Sequence, residues 1–138
     1  MPGATLEAVK KIFFVEDDAY IRKIYERAFR AAGYGPISVT DGEEAIRQLE
    51  IMDPPPSAIV LDVQLPKKSG LDVLTWLRSE ERYKGVPVAI LTNAGLDEVE
   101  EKAKEFDIAL YMVKIDHEPP EVVEKLGRII EEAERHHA

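Results

Sequence analysis

The sequence contains no cysteine, which excludes disulfide staples, thiolate metal sites and cysteine nucleophiles. No apolar run approaches the roughly 18 residues that cross a bilayer. Residues 1–8 lack the basic start and apolar core of a secretion signal. The expectation is a soluble, cytoplasmic protein without membrane contact. Positive charge is scarce too: 18 Lys and Arg stand against 27 Asp and Glu, a formal net charge of −9. Such a chain repels phosphate backbones. Arg22, Lys23, Arg27 and Arg30 are spread along one helical segment rather than gathered in a patch, so direct nucleic-acid binding is not expected. The three histidines, His117, His136 and His137, match no zinc-ligand spacing.

What remains is an ordinary globular composition, 45% hydrophobic over 138 residues, enough for one core. No internal repeat, low-complexity tract or linker divides it. The expected unit is a single domain over 10–132, with 1–9 and 132–138 as peripheral ends.

Short apolar runs alternate with amphipathic segments. Ile12 to Val15, Ile37 to Val39, Ala58 to Leu61, Val86 to Leu91 and Ile108 to Val113 read as strands, several of them apolar throughout, as buried parallel strands are. Helical spacing runs from Ala19 to Ala32, Glu43 to Met52, Ser69 to Arg82, Leu96 to Phe106 and through Val122 to Ile130. Gly33 and Gly35 stop the first helix, Thr40 or Asp41 caps the second, and Pro54-Pro55-Pro56 ends it. Strict alternation of five strands with five helices predicts an α/β fold, a doubly wound parallel sheet with helices on both faces.

The polar residues fall at one edge of that sheet. Glu16-Asp17-Asp18 follow the first strand, Asp62 the third, Thr92-Asn93 close the fourth and Lys114 follows the fifth. In open parallel sheets ligands bind outside the carboxyl ends, where the strand order reverses. With strand order 2-1-3-4-5, the first and third strands are neighbours, so Glu16, Asp17 and Asp62 are expected to converge, with Thr92 and Lys114 on the rim.

Three adjacent carboxylates repel one another unless a cation joins them, and hard oxygen ligands suit Mg²⁺ or Mn²⁺. With that charge neutralised, Asp62 can attack phosphorus and form an aspartyl phosphate. Lys114 supplies a compact cation for the phosphoryl oxygens, and the Thr92 hydroxyl a hydrogen bond. Asp18 reads as a helix N-terminal acid, and Asp72 and Asp97 as surface residues of first helical turns.

These residues carry a family resemblance over about 10–132. Phe14-Val15-Glu16-Asp17-Asp18, then Val60-Leu61-Asp62-Val63-Gln64-Leu65-Pro66 with Ser69-Gly70, then Leu91-Thr92, then Tyr111 three residues before Lys114, resemble a bacterial response-regulator receiver domain. The resemblance implies the flavodoxin-like receiver fold and Asp62 as phosphoacceptor. Metal would be held by Asp17, Asp62 and the Gln64 backbone carbonyl, with Glu16 acting through metal-bound water. Thr92 and Tyr111 would form the conformational switch. The implied function is that of a stand-alone signalling domain, not an enzyme beyond its own phosphorylation and dephosphorylation. Its implied partners are a sensor histidine kinase or histidine phosphotransfer protein, and a downstream protein or second protomer on the face of helix 4, strand 5 and helix 5.

The chain departs from that pattern in places. Asn93 replaces a small residue. Ile115 replaces the proline of a cis peptide, so a trans or strained bond and a shifted loop over 115–119 are expected. Asp107-Ile108 replace Gly-Ala. Three other functions compete. A constitutive pseudo-receiver is motivated by Asn93 and Ile115. A flavin binder is opposed by the acids after strand one. An aspartyl-phosphate hydrolase is opposed by Gln64, where such enzymes carry a second acid.

Overall fold

Lys11–Val15 forms the first strand, β1, because four consecutive apolar side chains can be buried only where both faces of the sheet are covered. In the computed structural model, which describes residues 9–65, 67–92, 97–114 and 117–137, that condition is met. The elements follow in order as β1, α1 (Ala19–Ala31), β2 (Gly35–Val39), α2 (Gly42–Ile51), β3 (Ala58–Leu61) and α3 (Gly70–Ser79). After them come a 3₁₀ turn (Glu81–Tyr83), β4 (Val88–Thr92), α4 (Asp97–Lys104), β5 (Leu110–Val113) and α5 (Pro119–His137). All strand pairs are parallel, in the order β2-β1-β3-β4-β5 expected from the sequence.

Alternation along each strand divides the core in two. Phe13, Val15, Ile59, Leu61 and Ile90 face α2 and α3, packing on Ala45, Leu49, Val73, Leu74 and Leu77. Ile12, Phe14, Val60, Ala89 and Leu91 face α1 and α5, packing on Tyr25, Phe29, Val123, Leu126 and Ile130. Each such large side chain contributes roughly 1.5–3 kcal/mol by leaving water. The tilted and edge-on contacts of Phe14 with Tyr25 and Phe29, 5.7 and 5.5 Å between centroids, lock α1 to β1.

Helix starts are set by side-chain caps that satisfy orphan N–H groups. Asp18 accepts from the N–H groups of Tyr20 and Ile21 at 2.9 and 3.0 Å. Asp41, of the two candidates, caps α2 through the Glu44 N–H at 2.8 Å. Asp72 closes a reciprocal capping box with Ser69, which places α3's start one residue beyond Ser69.

Several boundaries differ from expectation. α3 stops at Ser79 rather than continuing to Arg82, because Glu80 turns extended. The 3₁₀ turn then sends Tyr83 into the core, where its hydroxyl donates to the Leu49 carbonyl. β2 begins at Gly35, two residues early, and β4 and β5 begin two residues late. The Pro87 carbonyl still accepts from the Ile59 N–H at 3.0 Å, a position that asks nothing of the missing proline donor. α5 continues past 132 to His137, and Glu134 on it pairs with Lys10 at 2.8 Å. No described helix is long and apolar enough to cross a membrane.

Candidate functional site

The carboxyl ends of β1, β3, β4 and β5 bring four polar residues into a buried cluster: Glu16 (1% exposed), Asp62 (4%), Thr92 (0%) and Lys114 (9%). Each sits at or just beyond the last residue of its strand, so the parallel ladder itself sets their alignment. The Glu16 N–H donates to the Val39 carbonyl at 3.0 Å, and the Asp62 N–H to the Val15 carbonyl at 3.3 Å. The sheet register thus extends into the site.

Lys114 joins the two buried acids. Its Nζ donates to Asp62 Oδ2 at 3.0 Å and also ion-pairs with Glu16. Asp62 Oδ1 accepts from the Gln64 N–H at 2.9 Å, and Glu16 Oε2 from the Asp18 N–H at 3.0 Å. Burial alone would push the Lys114 ammonium down, but the bonds and charges of Glu16 and Asp62 outweigh it and hold its pKa above the ordinary lysine value. Burial pushes Glu16 above the usual carboxylate range, while the Lys114 bond and the Asp18 N–H offset part of that rise. Thr92 is different: its Oγ1 is sealed from solvent with no hydrogen-bond partner among the described residues. A buried hydroxyl in that condition calls for an explanation.

The structure does not converge all three expected carboxylates. Asp17 is exposed, and no group of three or more His, Cys, Asp or Glu among the described residues is arranged to hold a metal ion. Successive side chains at a strand end point to opposite sides, so Glu16 turning inward sends Asp17 outward. A closed cage is not what Mg²⁺ requires, since it keeps several waters and uses one or two carboxylates. The donor set at hand, carboxylates with a nearby backbone carbonyl, is all hard oxygen and fits that ion.

Tyr111 lies half-buried on β5, opposite Ile90 of β4, and packs against the α2–α3 side of the core. Pro66, Asn93 and the Lys114–Ile115 bond fall outside the described residues, so the motif proline and the expected loop shift are not described. Asp107 has φ of 56°. That left-handed conformation is the one glycine adopts freely and aspartate tolerates better than most, so the substitution at this position preserves the turn.

Two contributors escaped the sequence reading. Arg22, read there only as one of four cations spread along a helix, donates to the carbonyls of Glu16 and Asp17 at 3.0 and 3.5 Å, and so holds the acidic loop. A cation one turn into the helix after an acidic strand end was the available signal. The second is Gly42. A Cβ built there would lie 1.9 Å from the Lys68 carbonyl oxygen, so the β3–α3 loop crosses directly over the start of α2. Lys67, at φ of 65°, reaches to 3.8 Å from Asp41 in the same contact. Gly70 plays the matching part below: its Cβ would stand 2.4 Å from the Asp62 carbonyl oxygen.

A buried acid–lysine pair at the switch point of a 2-1-3-4-5 sheet is the arrangement that the resemblance to a receiver domain implies. Comparison with known proteins agrees. The profile of the response regulator receiver domain matches residues 12–126. The polar-differentiation response regulator DivK of Brucella ovis is 30% identical over 105 residues, covering 76% of this chain and 84% of DivK. The receiver domain of sensor histidine kinase PA1611 from Pseudomonas aeruginosa superposes with a TM-score of 0.76 at 27% identity, covering 91% of this chain and 97% of that one. Its structure holds magnesium in the active-site cleft. A CheY-like receiver from Methanospirillum hungatei shares the fold, with a TM-score of 0.83 at 19% identity over 94% of this chain and 99% of that one. The chain belongs to the response-regulator receiver family of two-component systems. Domains of this family are signalling domains that work with histidine kinases or phosphotransfer proteins.

Proposed function

We propose that this receiver accepts a phosphoryl group on Asp62 from a phosphohistidine of a sensor histidine kinase or phosphotransfer protein. It then signals through a phosphorylation-dependent protein contact on the face of α4, β5 and α5. The observation that carries this reading is the 3.0 Å bond between Lys114 Nζ and Asp62 Oδ2, in a cluster nine-tenths or more buried.

An Asp62 oxygen forms a bond to phosphorus as the donor's phosphorus–nitrogen bond breaks. The imidazole leaves with the electron pair and takes up a proton. Lys114 is already fixed beside Asp62 and stays protonated, so its charge is available to the phosphoryl oxygens without rearrangement. The unpartnered Thr92 hydroxyl can donate to one of those oxygens, and Tyr111 then moves inward to fill the space it leaves. Asp17, Asp62 and the Gln64 carbonyl would hold Mg²⁺, or Mn²⁺, with Glu16 bonded to its water. Bound there, the ion neutralises charge on the acids and on the transferring group. Arg22 and the Gly42 crossing hold the two loops that carry these ligands.

Transfer from a ³²P-labelled phosphohistidine domain tests the proposal. Label should move to the wild-type chain in Mg²⁺ and not to Asp62→Asn. Label reaching the Asp62→Asn variant equally would overturn the assignment of the acceptor.

A further inference from the structure

Arg78 stands at the far end of the domain from Asp62, in the last turn of α3. It is partly buried, and its Nε is sealed from solvent with no hydrogen-bond partner among the described residues. Among the described residues no carboxylate closes an ion pair on its guanidinium. Asp107 acts on it only across a distance, and burial works against the charge. Charged groups drawn away from water ordinarily find partners. The half-buried Arg78 side chain instead lines a cavity of about 560 Å³ with Lys84, Pro87, Asp107, Glu132 and His136. The cavity opens where β4 and β5 begin, at the edge of the sheet opposite the acidic cluster.

Its walls define what would fit. Arg78 and Lys84 are cations, and Lys84 is already engaged at 3.3 Å by Glu81. Asp107 and Glu132 balance them, so the lining has no excess charge for a polyanion. With Nε sealed, recognition falls to the terminal nitrogens of the guanidinium, a planar fork that matches two oxygens of one anionic group. The volume falls in the range of small-molecule sites.

We propose that this cavity binds a small ligand carrying one oxyanion, a carboxylate or a phosphate, seated on Arg78. The site is separate from Asp62 and does not depend on the phosphoacceptor assignment. The partner oxygens would complete the guanidinium's bonding, which the fold itself leaves open.

The test uses the full chain, ¹⁵N-labelled, and follows the Arg78 Nε–H resonance by NMR at constant ionic strength. Inorganic phosphate and succinate are titrated separately, without Mg²⁺, in wild type and in Asp62→Asn. A saturable shift of the Nε–H with either anion, equal in both proteins, is expected. Phosphate alone or succinate alone would show which oxyanion the cavity takes. Arg78→Gln should weaken binding about tenfold or more, read from the Gly85 and Ala109 amides, and Arg78→Lys should fall between. The amide spectrum of each variant verifies its fold. A wild-type Nε–H that never saturates, or an unchanged affinity in folded Arg78→Gln, would overturn the proposal.

Discussion

Lys114 Nζ sits 3.0 Å from Asp62 Oδ2, reaching across β4 from the end of β5 to the end of β3. The same ammonium pairs with Glu16 beyond β1. One cation therefore ties three strands at the edge where the site lies. Removing Lys114 leaves two buried carboxylates without their counter-charge, at a cost of about 3–5 kcal/mol, whereas neutralising Glu16 still leaves Lys114 paired with Asp62. Lys114→Met should lower stability by that order in denaturant titration at neutral pH.

The Lys114 pKa is held above its ordinary value in the folded state. A raised cation stabilises the fold fully below its unfolded pKa, near ~10.4, and that contribution is lost as pH rises through the folded value. Wild-type stability should therefore decline above that ordinary lysine pKa, and Lys114→Met should lack this alkaline component. Parallel alkaline profiles of the two proteins would count against the pairing.

Glu16 carries the opposite consequence. Its pKa is raised by burial, so the folded state binds its proton more tightly than the unfolded chain. Stability from this group is greatest at acid pH and is lost as pH rises from the ordinary glutamate value through the folded one. Glu16→Gln should therefore unfold at a higher temperature than wild type at pH 7. The gap should narrow as the pH falls from the folded value to the ordinary glutamate value, below which both side chains are neutral. A variant less stable at pH 7 would contradict the sign.

Thr92 Oγ1 has no partner to lose among the described residues, so Thr92→Ala should change stability by no more than about 1 kcal/mol. Asp62 should still be phosphorylated in this variant. What should weaken is the response of β5 and α5, read as smaller amide shifts there on phosphorylation. A mutant that switches like wild type would remove Thr92 from the coupling.

Gly42 and Gly127 make a paired test of close approach. At Gly42 a Cβ meets the Lys68 backbone at 1.9 Å, so Gly42→Ala must displace the β3–α3 loop. It should cost about 1–3 kcal/mol, the order of forced overpacking. Gly127 lies within α5, where a Cβ meets only the end of the Tyr34 side chain at 3.0 Å. Gly127→Ala should be neutral or stabilising by up to ~1 kcal/mol, since alanine is the better helix former. Thermal denaturation of both variants separates backbone collision from side-chain adjustment.

Much of this was legible in the sequence because it is periodic or terminal. Runs such as Ala58 to Leu61 announce strands buried on both faces, and the polar residue after each strand announces the site edge. Glu16, Asp62, Thr92 and Lys114 meet where that logic puts them. Other features were not legible. Asp17 sits next to Glu16 in sequence yet is exposed where Glu16 is buried, because neighbours at a strand end point apart. The end of α3 at Ser79 depends on Tyr83 reaching a carbonyl of α2. Gly42 is governed by a loop more than twenty residues away, and no local pattern encodes that approach.

The most direct test of the central claim is intact-protein mass after incubation with Mg²⁺ and a small phosphodonor, beside Asp62→Asn. The account predicts one phosphoryl group on the wild-type chain and none on the variant. A folded, Mg²⁺-binding wild-type chain that gains no mass would contradict it and leave a receiver fold used as a constitutive binding module.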